Sequence, residues 1–195
     1  MKTKQILISS FSLLLLSASL IGCAPSFQDT LIVDAIPEPD PTNQSSSLSG
    51  AKLKVDTFTD LRTSPVVAEI NGRTLTPEGD PGVAVQRGFE SYLKGQGATV
   101  SLFGADRGIA GSITEWKIAV RPGFPVSFIE GKAAIKVDVS DSSGRIVYKG
   151  QYSGSSSMQH PLPKESTAES VLGDAMAQAI GEALKDSRLT RYLRG

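Results

Sequence analysis

Strict two-residue alternation in the segment KAAIKVDVS, residues 132–140, narrows the possible folds more than any other feature of the sequence. Successive side chains of a β-strand point to opposite faces, so this segment would have one apolar and one charged face. Strands with one wet and one dry face are typical of an antiparallel sheet that is covered on a single side. The apolar positions are Ala133, Ile135, Val137 and Val139.

Similar patterns predict further strands on both sides of this segment. KLKVDTF at residues 52–58 and SITEWKIAV at residues 112–120 alternate in the same way, and RIVYKGQY follows at residues 145–152 after the turn DSSG. Asn71-Gly72 separates two short extended runs. This pair tolerates the positive φ angles that a two-residue turn requires, so it predicts a hairpin.

Two amphipathic helices are predicted among these strands. Asp80 and Pro81 suit the cap and the first position of a helix, and apolar residues follow at four-residue spacing: Val85, Phe89 and Leu93. A second helix is predicted to begin near Ser166, which has capping-box spacing to Glu169. Its apolar stripe comprises Leu172, Met176, Ala179, Ile180 and Ala183, and beside it runs a row of small residues, Gly173, Ala177 and Gly181.

The order of these elements predicts the fold class. A strand, a hairpin, a helix, three or four strands and a final helix indicate a single α+β domain over residues 51–195. We expect a mainly antiparallel sheet with two helices packed on one face. The row of small residues in the second helix allows a close backbone approach, either to the protein's own sheet, which is the preferred interpretation, or to a partner.

The first 22 residues follow another pattern. Lys2 and Lys4 precede an uncharged run from Ile6 to Ile21 that is rich in Leu and Ile. This run is short for a membrane-spanning helix, which needs about 20 mainly apolar residues. A basic start, an apolar middle and a small residue at the end are typical of a secretory signal peptide, so residues 1–22 are predicted to be removed.

Cys23, the only cysteine in the chain, directly follows this run. A lone cysteine cannot form an intrachain disulfide, and no histidine or carboxylate is near enough in sequence to indicate a metal or nucleophilic role. The stretch LIGC at residues 20–23 resembles the bacterial lipobox. That resemblance implies cleavage after Gly22, a diacylglycerol thioether on Cys23 and a further acyl chain on the new amine. Two or more acyl chains make anchoring stable.

The residue after the cysteine is Ala24 rather than the aspartate that typically retains lipoproteins at the inner membrane. The resemblance therefore implies the outer membrane, on its periplasmic face. Residues 23–50 have the Pro, Ser, Asn and Gln content of a tether. Within them, TLIVDAI at residues 30–36 is apolar and β-prone and predicts an edge strand along the domain.

Charge excludes one class of partner. The chain has 20 Lys and Arg against 20 Asp and Glu, and removal of Lys2 and Lys4 leaves 18 against 20. This balance offers no basic field for nucleic acid, so no nucleic-acid partner is predicted.

The sequence predicts no catalytic residue, metal ligand or cofactor. His160, the only histidine, lies in the loop-like stretch MQHPLP, after a serine-rich run without a nucleophile-elbow pattern. Two S-x-x-K matches, at residues 49–52 and 91–94, lack companion motifs. GQG at residues 95–97 follows a helix and stops it, whereas a dinucleotide loop follows a strand. Cys, His and acidic residues do not cluster at metal spacing.

Two charged features have a structural and a functional interpretation. Asp60 and Arg62 in TDLR can pair with each other or bind a ligand, and a structural pair is the more common case. The chain ends in KDSRLTRYLRG, whose cations favour a helix C-terminus. The functional interpretation, which is the weaker of the two, is contact with anionic lipid headgroups or an acidic partner. The candidate contact residues are Arg188, Arg191 and Arg194.

Five stretches together carry a family resemblance: LIGCA, VDTFTDLR, LTPEGDPGVAVQRGFESYLKGQGA, YKGQYSGSSS and ESVLGDAMAQAIGEALKD. They resemble the YajG-like family of uncharacterised bacterial lipoproteins over most of the chain that follows Gly22. The resemblance implies an α+β domain like those of other envelope accessory lipoproteins. It supplies no active-site residue and no known reaction.

The preferred functional hypothesis is a non-enzymatic outer-membrane lipoprotein. It would be held by the lipid on Cys23 and would act in the periplasm as an accessory or adaptor domain for an envelope protein. The alternative is a carrier of a small molecule or lipid, with a pocket between the sheet and the helices. An envelope hydrolase that uses His160 is a third, weaker hypothesis.

Overall fold

The structure, a computed structural model, describes residues 29–32, 36–39, 46–70 and 72–195. These residues form nine strands and three helices. In chain order the elements are β1 Asp29–Ile32, β2 Lys52–Val55, β3 Thr59–Asp60, β4 Ala68–Ile70, β5 Arg73–Glu78, α1 Pro81–Gly95, β6 Thr99–Val100, β7 Arg107–Arg121, β8 Ser127–Asp141, β9 Ile146–His160, α2 Glu165–Lys185 and α3 Ser187–Arg194.

Three strands of 15 residues each, β7, β8 and β9, form an antiparallel meander at the centre of the fold. The alternating segment lies in β8, and its four apolar residues are buried as the pattern predicts. At 3.2–3.4 Å per residue, strands of this length extend about 45–50 Å. The meander therefore sets the long dimension of the domain and separates its two ends.

The remaining strands of the main sheet correct the predicted topology. β2 pairs in parallel with β6 and β7, and β3 pairs in parallel with β7, which makes the six-stranded sheet mixed. β1, β5 and β4 form a separate three-stranded sheet. The prediction of a mainly antiparallel sheet is wrong. Alternation shows which face of a strand is buried, but it does not show the direction of the neighbouring strand.

The helices also differ from the predicted pair on one face. α2 packs against β7, β8 and β9, while α1 contacts α2 and the short strands β2, β3 and β6. A third helix, α3, follows α2 after a break at Asp186 and contacts β8 and β9. The sequence interpretation treated α3 as a continuation of α2, because both stretches have helical spacing.

The beginning of α1 confirms its sequence signals, whereas the beginning of α2 does not. The carboxylate of Asp80 accepts a hydrogen bond from the Gly82 amide at 2.7 Å, and Pro81 is the first helical residue. α2 begins at Glu165, with Lys164 at the cap position, and among the described residues no side chain caps it. The predicted capping box at Ser166 therefore lies inside the helix.

The core lies between the meander and α1 and α2. Trp116 is buried, and its indole N–H donates to the Leu172 carbonyl of α2 at 3.1 Å. α2 approaches β9 most closely at Gly154, where an added Cβ would lie 2.2 Å from the Ala175 carbonyl oxygen. An added Cβ at Gly181 would meet nothing within 4 Å. The close approach predicted from glycines of the helix therefore depends at this point on a glycine of the strand.

Part of the predicted tether belongs to the fold. β1 pairs in parallel with β5 at the edge of the three-stranded sheet, where an edge strand was expected. Ile36 packs partly buried against the core, close to Gly88 and Ile180. Leu48 is fully buried, and its amide donates to the Gln96 carbonyl at 3.0 Å.

Candidate functional site

The long strands end in two surfaces with different chemistry. One surface, which we call the Phe124 end, comprises the β7–β8 turn at residues 122–128 and the β9–α2 connection at residues 160–165. These segments meet because Ser127 pairs with His160 in the β8–β9 register. The other, the arginine end, comprises the β8–β9 turn at residues 141–145 and α3. They lie together because α3 packs on β8 and β9 after the last turn of α2.

The Phe124 end exposes large apolar side chains. Phe124 is fully exposed, and Leu162 and Phe128 are exposed by 72% and 46%. The sequence contains no Asp, Glu, Lys or Arg in residues 122–129 or in residues 150–163. Scattered apolar residues are normal on protein surfaces. Charged residues border these segments, with Arg121 opposite Phe128 in the β7–β8 register and Lys164 two residues after Leu162.

The arginine end is held in place by Asp186. Its carboxylate accepts a hydrogen bond from the Arg188 amide at 2.8 Å and caps α3. It also accepts hydrogen bonds from the hydroxyls of Tyr148, at 2.7 Å, and Tyr152, at 3.0 Å, both on β9. Asp186 therefore fixes the direction of α3 relative to the meander.

The electrostatics of this cluster follow from the same contacts. The hydrogen bond from Tyr148, supported by the Arg188 amide, lowers the pKa of Asp186 to about 2. Burial raises the pKa of Tyr152, and its contacts with Tyr148 and Asp186 raise it further. An ionised carboxylate beside two neutral hydroxyls is the stable arrangement around neutral pH. The cluster thus attaches α3 to β9.

The three predicted contact arginines all lie on α3, but they differ in their surroundings. Arg188 pairs with Asp186 at 3.5 Å, and the guanidinium of Arg194 donates to the Ser47 carbonyl at 2.6 Å. Arg191 is exposed, and its guanidinium makes no hydrogen bond or ion pair with another described residue. Among the three, Arg191 has the guanidinium most available to a partner. The predicted lipidation site, Cys23, lies outside the described residues.

Asp60 and Arg62 form an ion pair at 2.7 Å. The side chain of Arg62 is only 6% exposed, and it also donates to the Trp116 carbonyl at 3.3 Å. The hydrogen bonds from Arg62 lower the pKa of Asp60. The pair therefore joins the segment after β3 to β7, which is the structural one of the two interpretations of TDLR.

His160 is the last residue of β9, and its Nδ1 accepts a hydrogen bond from the Leu162 amide at 3.1 Å. The imidazole thus shapes the bend that follows the strand. Ser153, Ser155 and Ser157 precede it at alternate positions of β9. The amide of Ser155 donates to the Gln178 side chain of α2 at 2.7 Å, which ties this strand edge to the helix.

The carrier hypothesis requires a pocket between the sheet and the helices. A cleft of about 650 Å³ opens on the face of the meander that is turned away from α2, and its lining includes Lys136, Asp138 and Lys149. Between the meander and the helices, Trp116 and Phe89 are buried among aliphatic side chains. In the described part of the chain, His, Cys, Asp and Glu side chains form no group of three or more that could hold a metal ion.

No helix in the described ranges is both long enough and apolar enough to cross a membrane.

Sequence reasoning did not identify the exposed apolar residues of the Phe124 end. The stretch PGFPVSF, residues 122–128, carries the signal that could have found them. It places two phenylalanines in or beside a turn between strands, where polar turn residues are usual.

The chain is similar to one protein family and to several solved structures. The family described as "Uncharacterized lipoprotein" matches residues 37–194. Among curated proteins, none matches. A crystal structure of a protein from Xanthomonas campestris is similar with a TM-score of 0.55 and 12% identity, covering 84% of this chain and 95% of that chain. A minor lipoprotein from Acinetobacter baumannii gives a TM-score of 0.42 and 12% identity, covering 73% and 91%. The first similarity supports the fold alone.

Proposed function

Because the chain belongs to this family of uncharacterised lipoproteins, we propose that it is a lipid-anchored envelope protein whose domain serves as a non-enzymatic adaptor. The predicted membership of the YajG-like lipoproteins is confirmed by the family match. In this proposal Cys23 carries the lipid. The arginine end presents the domain to an envelope protein partner.

The observation that carries the adaptor role is the rigid display of Arg191. α3 is capped by Asp186 and attached to β9 through two tyrosine hydroxyls, so its position is fixed. Arg191 stands exposed on this fixed helix. A cation on a fixed element requires no ordering of the backbone on binding, although its side chain still loses rotamer freedom. Arginine is also enriched at protein interfaces.

Exposed apolar residues on the same side of the fold support a protein partner. Phe103, 87% exposed, and Leu102 follow β6 in the loop that leads to the start of β7. The first residue of β7, Arg107, donates to the Tyr192 carbonyl of α3 at 3.0 Å, which places this loop near α3. Aromatic residues beside arginines are typical of the surfaces that bind proteins.

The location on the outer membrane is part of the proposal. It depends on Cys23 as the lipidated residue and on Ala24 as the sorting residue. A carboxylate at position 24 should retain the protein at the inner membrane, whereas loss of the thiol should release it from membranes altogether.

The experiment compares Cys23→Ser with Ala24→Asp in cells. We expect the mass of the purified wild type to include the lipid, and Cys23→Ser to lose both this mass and membrane fractionation. Ala24→Asp is the matched control, because it keeps the lipid and should move the protein to the inner membrane. Retention of Cys23→Ser in the membrane fraction would reject the anchor, and unchanged sorting of Ala24→Asp would reject the outer-membrane assignment.

A further inference from the structure

The Phe124 end and the N-terminal side of β1 point in the same direction. Arg73, the first residue of β5, forms an ion pair at 2.6 Å with Glu165, the first residue of α2, at the Phe124 end. β5 runs from there towards α1, and β1 runs parallel to it with Asp29 opposite Leu75. Asp29, the first residue of β1, therefore lies at the end of β1 that is nearer to the Phe124 end.

The described residues that follow β1 are consistent with this direction. After β1 the chain passes Ile36, which lies beside Gly88 in the middle of α1. It then reaches Leu48, which is bonded to Gln96 after the last residue of α1. The described residues of this region thus lie at successive levels of the domain, with β1 nearest the Phe124 end, Ile36 in the middle and Leu48 nearest the arginine end.

The reach of the chain is limited by covalent geometry. Asp29 follows Cys23 by six residue steps. An extended chain spans at most about 3.3–3.6 Å per step, or roughly 21 Å in all. Asp29 and Ala68 both lie opposite Leu75, and the Ile118 amide of β7 donates to the carbonyl of Val67, the residue before Ala68. From Ile118, β7 continues for three residues to Arg121, a distance of about 10 Å. The turn that holds Phe124 follows directly, so Phe124 and Cys23 can reach the same plane.

We infer that the Phe124 end rests on the phospholipid bilayer, with Phe124, Phe128 and Leu162 in contact with the interfacial region. This inference rests on the proposed lipid on Cys23 and deepens it. A lipid on Cys23 keeps this end within a short distance of the bilayer. The segments at residues 122–129 and 150–163 contain no Asp, Glu, Lys or Arg. Arg121, opposite Phe128 on β7, and the exposed Lys164 border them, and their long side chains can hold the cations at the level of the headgroups.

A bilayer fits this end better than a protein does. The proposed lipid on Cys23 keeps the Phe124 end close to the membrane, with or without a protein partner. Exposed phenylalanine and leucine side chains also partition into the membrane interface. The arginines lie on α3 at the opposite end of strands about 45–50 Å long. They are therefore too far from this bilayer surface to contact the same headgroups.

The test places a polarity-sensitive fluorophore at either end of the lipidated full-length protein. Cys23 is the only cysteine, and a thioether consumes its thiol, so an introduced cysteine is the only free thiol. Phe124→Cys reports on the Phe124 end. Ser142→Cys, in the exposed β8–β9 turn, is the matched control. The protein is reconstituted into phosphatidylethanolamine–phosphatidylglycerol vesicles that contain brominated acyl chains.

We expect emission from position 124 to shift to shorter wavelength and to be quenched by the brominated lipid, while emission from position 142 stays as in buffer. Labelling of the wild-type protein, or its failure to float with vesicles, would overturn both the lipid on Cys23 and this inference. A lipidated protein that floats with vesicles, but reports water at position 124, would overturn this inference alone.

Discussion

The two ends of the meander differ in what they expose and in how they are held. The Phe124 end exposes Phe124, Phe128 and Leu162 on segments that contain no charged residue and are bordered by Arg121 and Lys164. Leu102 and Phe103 are exposed near the arginine end as well, so the ends differ mainly in the helix that displays the cations. The arginine end carries cations on a helix whose first residues are fixed by Asp186. An exposed apolar side chain can be buried against any apolar surface. A guanidinium held in a fixed position binds a partner that offers an anion in a matching position. The difference indicates that the two ends serve two different contacts.

The comparison depends on a rigid body that keeps the ends apart, and Gly154→Ala should disturb that body most. The new Cβ would lie 2.2 Å from the Ala175 carbonyl oxygen of α2. Overpacking of this kind costs about 1–3 kcal/mol of the free energy of unfolding. Chemical denaturation measures the loss. Gly181→Ala is the control; its Cβ meets nothing within 4 Å, and it should gain up to about 1 kcal/mol from helix propensity. Equal effects of the two changes would contradict the close approach at Gly154.

Asp186→Ala should loosen the arginine end alone. Loss of a helix cap costs about 0.5–2 kcal/mol, and the two tyrosine hydroxyls lose their acceptor as well. Because the pKa of Asp186 is lowered to about 2, the carboxylate stabilises the fold above the ordinary pKa of an aspartate. That contribution disappears as pH falls from about 4 to about 2. The difference in Tm between the wild type and the variant should therefore shrink over this range, and a constant difference would reject the role of the charge.

Arg191→Glu tests the contact at the arginine end without disturbing the fold. Arg191 is exposed, so the free energy of unfolding should change by no more than about 0.5 kcal/mol. Crosslinking to envelope proteins in intact cells should fall, because the cation that meets the partner is reversed. Lys136→Glu makes the same charge change at an exposed position of β8 between the two ends and serves as the control. Crosslinking that falls equally in both variants would reject Arg191 as the contact.

His160→Ala should have the smallest effect on function. The substitution removes one hydrogen bond, from the Leu162 amide to the imidazole. We expect full rescue of a deletion strain, with a change in stability of about 0.5–1.5 kcal/mol at most. Loss of rescue at normal protein levels would contradict the non-enzymatic role and favour a hydrolase.

Sequence patterns predicted most of the local structure. The alternation in β8, the cap and stripe of α1, and the edge strand before residue 36 follow from short-range physics that one segment contains by itself. The parallel pairing of β2, β3 and β6 could not be predicted from short segments. It depends on α1, which returns the chain to the level where β2 begins, and therefore on the whole connection between β5 and β6.

The candidate surfaces were predicted only in part. The arginines were visible at the end of the chain, because their spacing suits one helical face. Their separation from the Phe124 end depends on the break at Asp186 and on the packing of α3 across β8 and β9. The apolar patch was missed because Phe124, Phe128 and Leu162 come from segments that only the β8–β9 register brings together.

Neutron reflectometry of the lipidated protein on a supported bilayer tests the central claim most directly. If the Phe124 end rests on the membrane and the arginine end points away, the strands stand upright. The protein layer should then be about 45–50 Å thick, which is the length of strands of 15 residues. A layer of about 20–25 Å, the thickness of one sheet covered by helices, would mean that the domain lies flat and would contradict the account.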